Sequence, residues 1–181
     1  ICAVVAAPSA SEARRQLLEA SGSRFRASTI ELRLDYLSTD AEREALLRWL
    51  ARQHRLPVLI ATCRTRQGGG HFGGSREAEL NILGRAARAG CSWCDVEIET
   101  AERCTRFALR KSLTPAKVLI SAHDFRAMPR DIGRLIDDLK RCGADAVKIA
   151  ATCGTLRDVR CLLAPVRRRR DFVAIPMGDT G

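Results

Sequence analysis

The sequence predicts an α/β fold, a (β/α)8 TIM barrel of which about seven βα strands are present in the chain. Three observations carry that reading. Strand-like and helix-like segments alternate throughout, at intervals of roughly thirty residues, as repeated βα units require. The connectors are short, and each crossover holds a helix, which makes successive strands parallel. Finally, two strands alternate apolar with charged side chains. In 29–35, Ile30, Leu32 and Leu34 alternate with Glu31, Arg33 and Asp35, and in 93–99, Val96 and Ile98 alternate with Asp95, Glu97 and Glu99. Residues i and i+2 share one strand face. In a doubly wound sheet helices cover both faces, and such charged rows have nowhere to go. In a barrel the apolar face packs on the outer helices and the polar row turns toward the axis. An antiparallel edge strand with one wet face would alternate in the same way, but the long helical connections argue against it.

Taken in order, the first strand is 2–7 (CAVVAA), followed by a helix over 10–21 that starts at Ser9 or Ser11 ahead of Glu12. The second strand, 29–35, leads into a helix over 40–54. The third, 57–62 (PVLIAT), is followed by the glycine-rich loop 67–74 and a helix over 75–89, with Gly90 where that helix should stop. The fourth, 93–98, precedes a helix over 101–111. The fifth, 117–121 (KVLIS), precedes a helix over 130–142 with Gly143 as its stop. The sixth, 145–150 (DAVKIA), leads to a helix over 155–168 that opens at Thr155, and 172–176 (FVAIP) is the seventh strand. Residues 1–181 therefore form a single (β/α) barrel domain that lacks the final strand and helix. A barrel of this type usually runs to about 250 residues, so the chain reads as a fragment, with Ile1 a cut or processed end.

Composition narrows the function classes. At 181 residues and 46% hydrophobic, the chain can bury a real core. The formal charge of +10 allows an anionic small substrate or a nucleic acid. The basic residues are spread through every helix, however, and aromatics make up only 4%, a poor match to a base-stacking platform. The run Arg167 to Arg170 is expected to be a solvated helix end. No stretch has the apolar length of a membrane span. Eight cysteines give a single CxxC, Cys91 to Cys94, with no second pair at zinc spacing. They are expected to be mostly buried, reduced thiols in a cytoplasmic protein.

Lys148 carries the chemistry. It is one of only four lysines among 31 basic residues and lies inside the apolar strand DAVKIA. Burial favours the neutral amine over the ammonium, and a neutral amine can form a Schiff base with a ketone. A lysine whose stem packs while its head reaches water is the simpler alternative. Superimposing the strand ends gives Lys148 a polar setting of Glu31, Arg33 and Asp35, Arg64, Asp95 and Glu97, and His123 and Asp124. Catalytic groups of these barrels collect at the strand C-termini. The cluster holds an amine nucleophile, an imidazole able to move protons near neutral pH, and a carboxylate to orient that imidazole. The glycine loop 67–74 has neither P-loop nor dinucleotide spacing and fits a mobile lid.

These segments resemble the type I 3-dehydroquinate dehydratases. Asp95-Val96-Glu97-Ile98, then nineteen residues, then Val118-Leu119-Ile120-Ser121-Ala122-His123-Asp124, is similar to that family's active-site signature. Glu31-Leu32-Arg33-Leu34-Asp35, Thr62-Cys63-Arg64 with its glycine loop, Val147-Lys148-Ile149, and Ile175-Pro176-Met177-Gly178 resemble the motifs of strands two, three, six and seven. The resemblance implies loss of water from 3-dehydroquinate to give 3-dehydroshikimate, in the shikimate pathway, with no metal or organic cofactor. By it Lys148 forms the Schiff base, His123 moves the proton, and Glu97 holds the imidazole with Asp95 close by. Glu31, Arg33 and Arg64 bind ring hydroxyls, Asp35 belongs to the same substrate-binding set, and Met177 lines the pocket. Ala122 and Gly68 depart from the family pattern, and the family's carboxylate-binding arginine would lie beyond Gly181. The partners expected are the small-molecule substrate, with a homodimer allowed, and neither nucleic acid nor membrane. A class I aldolase shares a strand-six lysine, and a catalytically inactive basic binding domain is the alternative of a different class.

Overall fold

The computed structural model describes residues 2–22 and 27–181. The chain divides into two compact units, one running up to Asp95 and taking in Lys111–Lys117, the other made of Val96–Arg110 and Val118–Gly181.

In the first unit β1 (Cys2–Val5), β2 (Thr29–Arg33), β3 (Val58–Thr62) and the start of β4 (Trp93–Glu97) pair in parallel in chain order. Helices α1 (Ala10–Ser21), α2 (Asp40–Leu50) and α3 (Arg76–Arg88) make the crossovers. Each begins at a hydroxyl that accepts an N-terminal amide: Ser9 from Glu12, Thr39 from Glu42, and Ser75 from Ala78. Such a cap is worth about 1 kcal/mol. Of the two serines that could start α1, Ser9 does so. The alternation in β2 is realised, with Ile30 and Leu32 buried, as is Leu34 beyond them, alongside Leu17, Leu46, Leu50, Leu59 and Leu83. Each such side chain contributes about 1.5–3 kcal/mol on burial. Helix α2 stops at Leu50 rather than 54, because the amides of Arg52 and Gln53 turn back to the carbonyls of Trp49 and Leu50.

In the second unit β5 (Lys117–Asp124), β6 (Ala146–Thr152) and β7 (Phe172–Met177) pair in parallel in that order. Their core comprises Val118, Ile120, Val147, Ile149, Ile136, Leu139 and Leu162. The expected helix over 101–111 is two helices, α4 (Ile98–Ala101) and α5 (Arg106–Leu113), the last three residues of α5 belonging to the first unit. Thr105 interrupts it by accepting the Ala108 amide, which starts a new helix. Helix α6 (Ile132–Arg141) follows, and α7 (Leu156–Leu163) opens with a capping box in which Thr155 and Asp158 satisfy each other's amides. Pro165, which has no N–H to continue the α-helical ladder, sits in the 3-10 turn Ala164–Arg167 that replaces the last turn of the expected helix. Arg167 to Arg170 are exposed, as expected of a solvated helix end. Gly90 and Gly143 end α3 and α6 at φ of +107° and +100°, a region that disfavours any side chain.

Candidate active site

The polar residues of the first unit lie in register across its strands. Arg33 of β2 is paired with Thr62 of β3, and Thr62 with Asp95 of β4, so all three side chains share one face. Glu31, two residues before Arg33, shares that face and accepts a hydrogen bond from the Thr62 hydroxyl at 2.7 Å. Arg33 donates through Nε and Nη2 to both oxygens of Asp35, at 2.9 and 2.8 Å. Arg64, just past β3, donates through Nη2 to Asp95 at 2.7 Å, with 4% and 0% of the two side chains exposed. Burial opposes the Arg33 charge, but the hydrogen bonds and charge of Asp35, with Glu31 and Tyr36, outweigh it and raise the guanidinium above its usual value. The sequence-predicted residues Glu31, Arg33, Asp35, Arg64 and Asp95 are thus brought together in this unit as two carboxylate-seated arginines and one hydroxyl-bound glutamate.

The glycine loop is folded back on its own stem. The Gly70 amide donates to Thr65 O, Phe72 to Arg64 O, and Arg66 to Phe72 O. The His71 amide reaches Asp35 Oδ2 at 3.1 Å. A Cβ at Gly70 would fall 2.5 Å from Arg64 Cβ and closer still to the Arg64 carbonyl oxygen.

In the second unit Lys148 of β6 pairs with Ser121 of β5 and Val173 of β7, and His123 pairs with Ala150. Lys148 and Ala150 are two apart, so Lys148, Ser121 and His123 share one sheet face. Lys148 is 7% exposed, the one buried lysine of the four, and His123 is half-buried. The His123 ring stacks on Phe125 with centroids 6.2 Å apart. Asp124 does not orient the imidazole with its Oδ1, which accepts the amides of Arg126 and Ala127 and forms the turn after β5. Glu97 ends β4 with 4% exposure. Met177 ends β7, half-buried, and its carbonyl accepts the Cys153 amide at 2.9 Å.

All eight cysteines are free thiols, and four of them, Cys63, Cys91, Cys94 and Cys153, are buried, fewer than expected. Burial first, then the charge of Asp95, pushes the Cys94 thiol up to about 12. Burial, with Cys94 beside it, pushes Cys91 up as well. Among the described residues no three His, Cys, Asp or Glu side chains are grouped to hold a metal ion.

The family model for type I 3-dehydroquinase matches residues 1–181. The chain belongs to the type I 3-dehydroquinase family. Two 3-dehydroquinate dehydratases illustrate the relationship. That of Desulfotalea psychrophila is 33% identical over 174 residues, spanning 92% of this chain and 74% of that protein. That of Dehalococcoides mccartyi is 34% identical over 159 residues, spanning 86% and 68%. The fold is likewise that of solved type I dehydroquinases. A Clostridium difficile structure carrying covalently modified comenic acid aligns at a TM-score of 0.82 with 22% identity, over 99% of this chain and 76% of that one. The Geobacillus kaustophilus 3-dehydroquinate dehydratase aligns at 0.83 with 24% identity, over 99% and 74%. The sequence gives no role to Ser121 and Thr62, which lie inside the motifs quoted above, to His71 of the glycine loop, or to Tyr36, which lies outside them. Ser121 could have been found, since it stands two residues before His123 in a strand and must share its face.

Proposed function

We propose that the dehydration of 3-dehydroquinate to 3-dehydroshikimate, a hydro-lyase reaction, runs in this chain through a Schiff base on Lys148 with His123 as the proton carrier. Lys148 Nζ adds to the ring ketone and water leaves, giving an iminium. Its nitrogen accepts the electron pair released when His123 removes a proton from the adjacent carbon. The resulting enamine expels the β-hydroxyl, which His123 protonates as it departs, so the proton taken is the proton returned. Water then hydrolyses the iminium, freeing ketone product and amine. The observation that carries the reading is the register of β5 and β6. Two residues along the strands and one strand across put the Lys148 and His123 Cα atoms about 8 Å apart on one face. Both side chains can therefore reach neighbouring atoms of one small molecule.

Glu97 is assigned to the imidazole as its orienting carboxylate. The resemblance gives Glu31, Arg33 and Arg64 the ring hydroxyls, Asp35 and Asp95 the same substrate-binding set, and Met177 an apolar wall; Asp35 accepts from Arg33 and Asp95 from Arg64. We read residues 1–181 as one (β/α) domain, which the extent of the family match supports. The substrate is a small molecule, and no helix among the described residues is long and apolar enough to cross a membrane. Eight free thiols suit a reducing compartment such as the cytoplasm.

The test separates the two roles. Lys148→Met should abolish both imine formation and turnover. His123→Ala should still form the imine but turn over at least about a hundredfold more slowly. Wild-type turnover in His123→Ala would remove the histidine from the mechanism.

A further inference from the structure

We infer that Asp35, Tyr36 and His71 are positioning residues, and that Asp35 couples the seating of Arg33 to the folding of the glycine loop. The inference rests on the dehydratase reading, within which Arg33 binds substrate. Its starting point is the Asp35 carboxylate, whose side chain is 0% exposed. Both oxygens are occupied by Arg33, and Oδ2 also takes the His71 amide. A carboxylate so enclosed has no oxygen turned to a ligand and acts through the groups it holds. The pairing is bidentate, the geometry that fixes a guanidinium plane most tightly. It uses one N–H each of Nε and Nη2 and leaves the two N–H groups of Nη1 and the second of Nη2 as donors for substrate.

A second set of contacts fixes the same guanidinium from the side. Arg33 lies over the Tyr36 ring, 4.8 Å from its centroid, and His71 meets that ring edge-on with centroids 4.4 Å apart. His71 is therefore tied to Arg33 twice, by its amide through Asp35 and by its ring through Tyr36. The loop that carries His71 is also built on the second arginine, because Phe72 N donates to Arg64 O and Gly70 leaves no room for a side chain beside Arg64. Moving the loop must shift what holds Arg33 and must strain the backbone of Arg64. Loop and arginines form one positioning assembly within this unit.

The experiment measures steady-state kinetics with 3-dehydroquinate for wild type, Asp35→Asn, Tyr36→Ala and Tyr36→Phe, with amide exchange of the loop alongside. Loss of a fixed substrate-binding group weakens ground state and transition state alike, so the effect should fall on KM far more than on kcat. Asp35→Asn is expected to raise KM about thirtyfold or more, and to speed exchange of the His71 amide. Tyr36→Ala, at a position already 38% exposed and safe for folding, should raise KM about two- to fivefold, and Tyr36→Phe, which keeps the ring, should restore it. A merely structural role would lower thermal stability and leave KM unmoved. Unchanged KM in both Asp35→Asn and Tyr36→Ala, in an active wild-type protein, would overturn the inference and leave the dehydratase reading standing. An inactive wild type would instead count against that reading. The exchange arm then decides the coupling alone: an unchanged His71 amide in Asp35→Asn rejects it.

Discussion

Replacing Asp95 by Ala removes a deeply buried ion pair of the first unit. Arg64 and Asp95 meet at 2.7 Å with side chains 4% and 0% exposed, so neither charge has water to fall back on. Removing one partner takes a direct 2.7 Å ion pair from a charge that stays buried, a change that costs about 3–5 kcal/mol. An exposed pair would cost about 0.2–1 kcal/mol. Against a typical total stability of about 5–15 kcal/mol the loss is a large fraction. In urea, with a slope of about 2 kcal/mol per molar, the midpoint should fall by about 1.5–2.5 M. Arg64→Met alone should be comparably damaging, and the double variant Arg64→Met, Asp95→Leu should lose less than the two single losses added together, because the singles remove one shared interaction. The assay is equilibrium urea unfolding followed by circular dichroism for the wild type, both single variants and the double variant. A midpoint shift below about 0.5 M for Asp95→Ala, or a double variant whose loss equals the sum of the singles, would refute the claim that the two charges are buried and coupled.

Two further outcomes follow from the same physical account. The Lys140 ammonium, 2.6 Å from Asp171, holds the Asp171 carboxyl below its ordinary value, chiefly by hydrogen bonding. A carboxyl depressed on folding stabilises the fold above its unfolded pKa, and that contribution disappears as pH falls through the folded value. Asp171→Asn should therefore cost under about 1 kcal/mol at neutral pH, the pair being partly exposed, and nothing once the pH is below the lowered folded value. Thermal unfolding across pH checks this, and a penalty that persists in acid would contradict it. Thiol chemistry gives the other outcome. With the Cys94 thiol pushed up to about 12, only about one part in ten thousand is thiolate at pH 8. Iodoacetamide should label exposed Cys2 and Cys161 in the native protein and spare Cys91 and Cys94, as peptide mapping by mass spectrometry would show.

Much of this architecture was written in local chemistry. Of Ser9 and Ser11 ahead of Glu12, Ser9 caps the helix, and Thr155, Gly90 and Gly143 each mark a helix end where the structure has one. These are signals that act within four residues. The period-two charges of β2 were equally legible, because alternation fixes the face whatever the partner strand. What failed depended on competition between local signals. Thr105 splits the helix expected over 101–111, and Glu99, read as a third carboxylate of β4, lies exposed on α4 instead. In the site, the residue types were legible but their pairings were not. That Asp35 holds both Arg33 and the His71 amide requires the loop to return 36 positions along the chain, which no spacing rule encodes. The sequence groups Asp124 with the polar cluster through its place beside His123, yet its Oδ1 serves the following turn.

The central claim is that Lys148 is the covalent nucleophile, and borohydride trapping tests it most directly. The protein is incubated with 3-dehydroquinate, reduced with borohydride and mapped by mass spectrometry. Of the four lysines, Lys111 and Lys117 are exposed and Lys140 is paired with Asp171, while Lys148 is buried in β6. The account predicts one reduced adduct, on the peptide containing Lys148, and none in Lys148→Met. An adduct on Lys111, Lys117 or Lys140 in its place, or a catalytically active preparation that traps nothing, would contradict it.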